Sequence, residues 1–160
     1  MKKISLRAIS GLTLAVILVL AAAQIPVSGG NGKGRRIEGT WLVELTLRNC
    51  QTGAVIATGT ALNTFLAGGS MISAPGVSPA LIGTGHGVWE HVGGRNFSNT
   101  AVVFQFNPDG SLAATVTVRR NIELAEGSDE FTSTDTSEAV APNGNVIGTR
   151  CATTVGRRLE

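Results

Sequence analysis

The stretch GHGVWEHVGG, Gly85–Gly94, contains both histidines of the chain together with a tryptophan and an acid. His86, Glu90 and His91 are residue types that bind zinc or exchange protons. The zinc motifs H-E-x-x-H and H-x-x-E-H need a helix that brings both histidines to one face, and the spacing here fits neither motif. The glycines of this stretch oppose a helix, and in a strand the two histidines point to opposite faces. We therefore predict no metal site here and no cofactor.

Two interpretations of this stretch stay open. In the structural one, Trp89 fills the core, the glycine pair after it forms a hairpin, and both histidines are rim or surface residues. In the functional one, the segment is one wall of a binding pocket, and His86 or Glu90 faces the ligand. An acid–base reaction without a cofactor would use Glu90, Asp135 or His86. No serine lies in a G-x-S-x-G elbow, so the sequence predicts no nucleophile.

The N-terminus indicates export. Lys2, Lys3 and Arg7 precede an uncharged run that ends in three alanines at Ala23. This pattern is typical of a secretory signal peptide, and an uncleaved membrane anchor is the alternative. The predicted organisation is a signal peptide at residues 1–23, a flexible Gly-rich leader at 24–37 and one β-barrel domain at 38–160. The mature protein is expected to be exported, either periplasmic or secreted.

Removal of the signal changes the charge balance. Three of the thirteen basic residues leave with it and all eleven acids stay, so the mature net charge becomes −1. The remaining arginine doublets are isolated and form no basic stripe, which excludes a nucleic-acid partner. We also predict no membrane partner after signal cleavage.

The mature chain consists of strands and tight turns. In GTWLVELTLR the residues Trp41, Val43, Leu45 and Leu47 recur with a period of two, which is typical of a half-buried strand. Later segments of the same kind are separated by NPDG, EGSD and PNGN, whose residues supply hairpin turns. We therefore predict seven or eight strands in which sequence neighbours are antiparallel neighbours.

Cys50 and Cys151 indicate whether the first and last strands of this sheet lie side by side. An exported chain favours a disulfide between them, with two inert buried thiols as the alternative. Cys50 ends the first predicted strand and Cys151 lies in the last, so the bond would bring these strands side by side. The predicted fold is thus all-β, an antiparallel up-and-down β-barrel of about eight strands closed by pairing of the first and last strands. A β-sandwich of the same strands is the alternative.

The strand Ser111–Ala125 puts Arg120 on its apolar face, which should line the lumen. A guanidinium there must be paired or wetted, and Asp135 on the next strand is the facing candidate. In the alternative, Arg120 lies near a rim and reaches water. A barrel of this size is either filled by side chains or contains one small ligand.

Short motifs carry a resemblance to known barrels. Gly39-Thr40-Trp41 matches the G-x-W of lipocalin-like barrels. The strand–turn segments Phe106–Gly110 and Asn143–Asn145, with a terminal arginine on the last strand, are similar to those of small exported bacterial barrels. The chain resembles a calycin (lipocalin-like) or allene-oxide-cyclase-type barrel. The resemblance implies a lumen that binds a small apolar molecule, a cyclase that acts in the lumen, or a secreted inhibitor that uses its N-terminal segment. The cyclase's catalytic residues do not map onto this chain, so none is assigned.

We predict an exported barrel that binds a small apolar molecule. A cofactorless cyclase or isomerase and a secreted inhibitor or interaction protein are the alternatives, and the oligomeric state stays open. The candidate ligand-binding residues are Trp41, His86, Trp89, Glu90, Phe104, Arg120 and Asp135.

Overall fold

The computed structural model describes residues 37–127 and 129–160, so the predicted signal peptide and nearly all of the predicted leader lie outside the described residues. The chain forms eight strands: β1 (Gly39–Arg48), β2 (Val55–Phe65), β3 (Ser70–Pro75), β4 (Gly85–Gly93), β5 (Asn96–Phe106), β6 (Leu112–Leu124), β7 (Glu130–Val140) and β8 (Val146–Arg158). Each strand pairs with the next, and β8 pairs antiparallel with β1. The predicted closed up-and-down barrel is confirmed, and the β-sandwich alternative is wrong.

The hairpin turns use the residues that the sequence singled out. Gly110 and Gly144, in the turns NPDG and PNGN, have φ values of 83° and 86°, a region that glycine adopts without strain. In the first of these turns the hydroxyl and the backbone N–H of Ser111 donate to Oδ1 of Asp109 at 2.6 and 2.9 Å. These hydrogen bonds stabilise the carboxylate and lower the pKa of Asp109.

A disulfide fastens the seam between the first and last strands. Cys50 and Cys151 are bonded, with their Cα atoms 5.0 Å apart and 101 residues between them in sequence. Cys151 is the register partner of Arg48, the last residue of β1. The predicted bond is therefore confirmed, and it lies where the barrel closes.

The two ends of the barrel differ in how they are filled. The end at which β1 begins and β8 finishes, here called the plug end, also contains the connections 66–69 and 94–95 and the described residues 125–127 and 129 between β6 and β7. The opposite end, here called the mouth, contains the connections 49–54, 76–84, 107–111 and 141–145. Large buried side chains gather toward the plug end: Ile37, Trp41, Val43, Phe65, Met71, Phe97, Ile122, Leu124 and Phe131. Ile37, assigned to the leader by the sequence, is thus part of the core.

The long connection between β3 and β4 completes the wall near the mouth. Ile82 pairs with Gln105 in an isolated bridge, and the N–H of Gly83 donates to the carbonyl of Phe104 at 2.9 Å. This segment, predicted as an irregular loop, therefore runs beside β5 and extends the barrel wall where β3 is short. Within the described residues no helix is long and apolar enough to cross a membrane.

Candidate functional site

An aromatic cluster closes the plug end. Trp41 contacts Phe131 edge-on with ring centroids 5.0 Å apart, and Trp89 contacts Phe65 and Phe97 at 6.3 and 5.9 Å. Both indole N–H groups donate to backbone carbonyls, at 2.8 and 3.0 Å. A buried indole needs such a partner, so both tryptophans are fixed structural residues.

Arg158 caps this cluster from the last strand. Its guanidinium lies 4.2 Å from the Trp41 ring centroid, and Nη1 donates to the carbonyl of Glu38 at 2.6 Å. An ion pair of 3.4 Å joins Nε to Asp129. The G-x-W segment and the terminal arginine, quoted above for the resemblance, therefore meet at the plug end.

A layer of polar side chains crosses the barrel next to the aromatic cluster. Nε of Arg120 donates to Oδ2 of Asp135 at 3.0 Å, and Nη1 lies 3.4 Å from Oδ1 of Asn99. The hydroxyls of Ser133 and Thr154 also donate to Asp135, at 2.7 and 2.9 Å. The carboxylate therefore accepts three hydrogen bonds from side chains of β6, β7 and β8. This polar layer forms the floor of the open part of the lumen.

Arg120 and Asp135 are paired inside the barrel. Their side chains are 10% and 3% exposed, and the two residues are direct register partners on β6 and β7. The predicted pair is confirmed, and the alternative of Arg120 near a rim is wrong. Removing either partner would leave the other as a buried, unpaired charge, which is far more costly than the loss of a surface ion pair.

Asn63 is a polar residue that sequence reasoning missed. It is fully buried on β2, opposite Trp41 on β1 and Ser73 on β3. Neither Nδ2 nor Oδ1 has a hydrogen-bond partner in the described structure. An amide in this state costs about 1–3 kcal/mol relative to a satisfied one. Ala61, two residues along the same strand face, lines the open part of the lumen.

Between the polar layer and the mouth the lumen contains a cavity of about 430 Å³. Aliphatic side chains make up much of its lining: Leu45, Leu47, Ala61, Ile82, Val103, Val116, Val118, Ala139, Ile147 and Ala152. Its polar lining includes Ser73, Gln105, Arg120, Asp135, Ser137 and Arg150. The barrel is therefore filled at one end and open at the other.

A second depression, of about 620 Å³, lies toward the plug end of the β6–β8 wall. Its lining mixes outer-wall threonines such as Thr132 and Thr153 with residues of the plug such as Phe97. It does not include Arg120 or Asp135, and it is more open to solvent than the lumen cavity. The lumen cavity is the better candidate site because it is concave, mostly apolar and has convergent polar groups at its floor.

The structure divides the predicted site residues. Arg120 and Asp135 line the cavity, whereas Trp41 and Trp89 belong to the plug. His86, Glu90 and Phe104 are exposed on the outer face and do not line the lumen cavity, so they are not part of this candidate site.

Strand alternation is the physical reason for this placement. Trp89 points inward, so Glu90 must point outward, where its carboxylate accepts a hydrogen bond from the Ser98 hydroxyl at 2.9 Å. His86 shares the face of Glu90. On β5 the side chain of Phe97 is buried in the core, so Phe104, an odd number of residues away, lies outside.

Several lining residues were not singled out from the sequence. Val103, Val116 and Val118 come from β5 and β6, and Arg150 comes from β8. Strand alternation could have indicated Arg150. If the disulfide places Cys151 on the outer face of β8, the adjacent Arg150 must point inward. Among residues 37–127 and 129–160 no group of three His, Cys, Asp or Glu side chains gathers to bind a metal.

Comparisons with known proteins show the fold. The sequence matches no protein-family model and no curated protein. A solved structure described as a redesigned β-barrel matches with a TM-score of 0.52 and 16% identity, over 80% of this chain and 96% of that one. A likeness at this identity concerns the closed barrel alone.

Proposed function

We propose that this protein binds a small, largely apolar molecule in the lumen of its barrel. The observation that supports this most is the uneven filling of the lumen, which leaves a cavity of about 430 Å³ open toward the mouth. Pockets for small molecules are typically about 300–1,000 Å³, mostly apolar, with a few polar groups that orient the ligand. The cavity matches each of these features.

The lining indicates the chemistry of the ligand. Val103, Val116 and Leu45 offer aliphatic contact to an apolar body. At the floor, the contacts of Arg120 within the described chain use Nε and Nη1, so Nη2 is left to donate to a ligand. We therefore propose a ligand that has an apolar body and one hydrogen-bond acceptor, such as a carbonyl or carboxylate oxygen, directed toward Arg120.

The resemblance to lipocalin-like barrels supports the same proposal. The Gly39-Thr40-Trp41 segment and Arg158, two of the features that carry the resemblance, contact each other at the plug end. The proposed export of the protein is supported by the disulfide, because such bonds persist in oxidising compartments.

The arrangement favours binding over catalysis. Of the three residues considered for acid–base chemistry, His86 and Glu90 lie on the outer wall. Asp135 lines the cavity, but its oxygens already accept hydrogen bonds from Arg120, Ser133 and Thr154. A general base must be within reach of the proton that it removes and free to accept it, so Asp135 is poorly arranged for this role.

Native mass spectrometry of the oxidised protein, purified from its own host, tests the proposal. We expect one adduct per chain that is released by collisional activation, and a fragment spectrum that shows an apolar skeleton with an oxygen acceptor. The same sample in denaturing solvent should give the bare chain and the free compound. A bare chain under all native conditions, together with no binding of apolar compounds added afterwards, would contradict the proposal.

A further inference from the structure

The charged side chains that line the lumen cavity do not balance. They are Arg120, Asp135 and Arg150, and the first two neutralise each other at the floor across 3.0 Å. Arg150 forms no ion pair in the described part of the chain. All eleven acids of the chain belong to the described residues, so no acid outside them is left to pair with it. The cavity therefore has one positive charge without a counter-ion.

Two other acids lie near the mouth, and neither neutralises Arg150. Glu138 is exposed on the outer face of β7, whereas its neighbour Ser137 lines the cavity. Asp109 lies in the turn between β5 and β6, where its carboxylate accepts two hydrogen bonds from Ser111. The positive charge of Arg150 thus borders a mostly aliphatic cavity without an acid on the same wall.

The guanidinium of Arg150 lies beside the lumen. Gly148, Arg150 and Ala152 alternate along β8, and all three line the cavity. A Cβ atom at Gly148 would point into the lumen and would be 3.4 Å from Nη1 of Arg150. That nitrogen donates to the carbonyl of Thr149 at 2.8 Å, and the guanidinium has further N–H groups that can donate to a ligand.

Ser137 adds a second donor next to this guanidinium. It is the register partner of Arg150 on β7, and it also lines the cavity. Residues directly opposite each other on antiparallel strands have Cβ atoms about 4.5–5.5 Å apart. The hydroxyl of Ser137 and the guanidinium of Arg150 can therefore donate to one acceptor group.

An anion is better placed at Arg150 than at Arg120. A carboxylate at the floor would lie close to that of Asp135, which is bonded to Arg120 and would repel it. The floor therefore suits an uncharged acceptor. Near Arg150 the wall includes Ala139 and Ile147, and opposite charges attract each other more strongly where apolar side chains replace water.

From these observations we infer that the ligand is an organic acid. Its carboxylate is bound by Arg150 and Ser137 near the mouth, and its apolar body extends toward the floor. A guanidinium matches a carboxylate well, because two parallel N–H groups can donate to its two oxygens. The inference rests on the proposed function and adds to it the charge of the ligand and the direction in which the ligand lies.

Displacement of the neutral dye N-phenyl-1-naphthylamine from the oxidised protein, secreted by an expression host, tests this inference. The competitors are decanoate and decan-1-ol, which have alkyl chains of the same length and differ in their head groups. At neutral pH the acid is ionised. We expect Arg150→Gln to weaken decanoate binding by about tenfold and to change decan-1-ol binding by less than about twofold. Arg150→Lys keeps the charge and should lose less decanoate affinity than Arg150→Gln.

Arg48→Gln is the matched control. Arg48 is also near the mouth and forms no ion pair in the part of the chain that the structure describes, but it does not line the cavity. Its guanidinium bonds instead to the hydroxyl of Thr153 and the carbonyl of Gly53. This variant removes the same charge from the same end of the barrel, and it should leave the binding of both competitors unchanged.

Several outcomes would overturn the inference. Arg150→Gln could bind decanoate as the wild type does, or it could lose affinity for both competitors equally, in which case Arg150 only shapes the cavity. Arg48→Gln could lose as much decanoate affinity as Arg150→Gln, which would make the overall charge responsible. Displacement of the dye from the wild type by decan-1-ol but not by decanoate would overturn the inference and leave the proposed function intact. A wild type that binds neither the dye nor a competitor would contradict the proposed function itself, and the inference with it.

Discussion

Arg120 lies at the boundary between the filled and the open parts of the lumen, and its pairing with Asp135 sets the strongest prediction for a single residue. Arg120→Ala leaves a carboxylate that is 3% exposed without its cation, so we expect a loss of about 3–5 kcal/mol in the free energy of unfolding. Arg119→Ala, on the exposed face of the same strand, should change it by less than about 0.5 kcal/mol. Urea unfolding monitored by tryptophan fluorescence measures both, and equal losses would refute the role given to the pair.

Asn63 provides the opposite case, a buried polar group without a partner. Asn63→Leu replaces an unsatisfied amide by an apolar group of similar size, and we expect it to raise the free energy of unfolding by about 1–2 kcal/mol. Asn99→Leu is the control, because Asn99 donates to the carbonyl of Val88 at 2.9 Å and accepts from Arg120. That variant should destabilise the fold in the same urea experiment. A loss of stability in both variants would show that Asn63 has a partner that the barrel requires.

For single residues, the sequence predicted which side chains face the lumen only where strand alternation alone decides it. Arg120 shares the face of Val118 and Ile122 on β6, and Asp135 shares the face of Phe131 on β7, so their pairing could be predicted. His86, Glu90 and Phe104 could not be placed, because β4 and β5 have large apolar residues on both faces. Val88 and Trp89 are adjacent, as are Val103 and Phe104, and only the register with neighbouring strands decides which of each pair faces the lumen.

Gly156 on β8 packs directly against the Phe131 ring of the plug. A Cβ atom there would run into the ring of Phe131, which is fully buried. Gly156→Ala should therefore destabilise the protein by about 1–3 kcal/mol through overpacking. Gly59 on β2 has no atom within 4 Å of the corresponding position, so Gly59→Ala serves as the control and should be tolerated. Chemical denaturation midpoints compare the two, and an equally stable Gly156→Ala variant would mean that the plug can rearrange.

The strands themselves were predictable to within a residue or two. The period of two in β1, the turn residues around Gly110 and Gly144, and the pair of cysteines together indicate a closed meander. The position of the plug along the barrel axis was not predictable. It depends on how far each strand is shifted against the next, and this stagger brings Trp41, Phe65, Phe97 and Phe131 to one end although they come from four different strands.

For the molecule as a whole, the disulfide decides how firmly the barrel stays closed. It joins residues 101 positions apart, and closing such a loop stabilises a fold by about 4–5 kcal/mol in the chain-entropy treatment. We expect Cys50→Ser combined with Cys151→Ser to lower the free energy of unfolding by that amount. Thermal unfolding monitored by circular dichroism, with oxidised wild-type protein as the reference, measures the loss, and reduced wild-type protein is the control that should match the variant. An unchanged midpoint would mean that backbone pairing of β1 with β8 closes the barrel without help.

The complete barrel thus combines a rigid end with an accessible one. The aromatic plug and the polar layer fix the floor, and the cavity opens toward the mouth. The proposal of a ligand in the lumen depends on this division. The seven residues first considered for a site contribute only Arg120 and Asp135 to the cavity, because the sequence indicates faces of strands but not which part of the lumen remains open.

Titration with the neutral apolar dye N-phenyl-1-naphthylamine tests the central claim most directly. Val103→Phe fills the lumen, while Val102→Phe adds the same ring at the adjacent, exposed position on the outer wall. We predict one dye per chain for the wild type and for Val102→Phe, and binding at least about tenfold weaker for Val103→Phe at unchanged thermal stability. Equal dye affinity in both variants would contradict a ligand cavity inside this barrel.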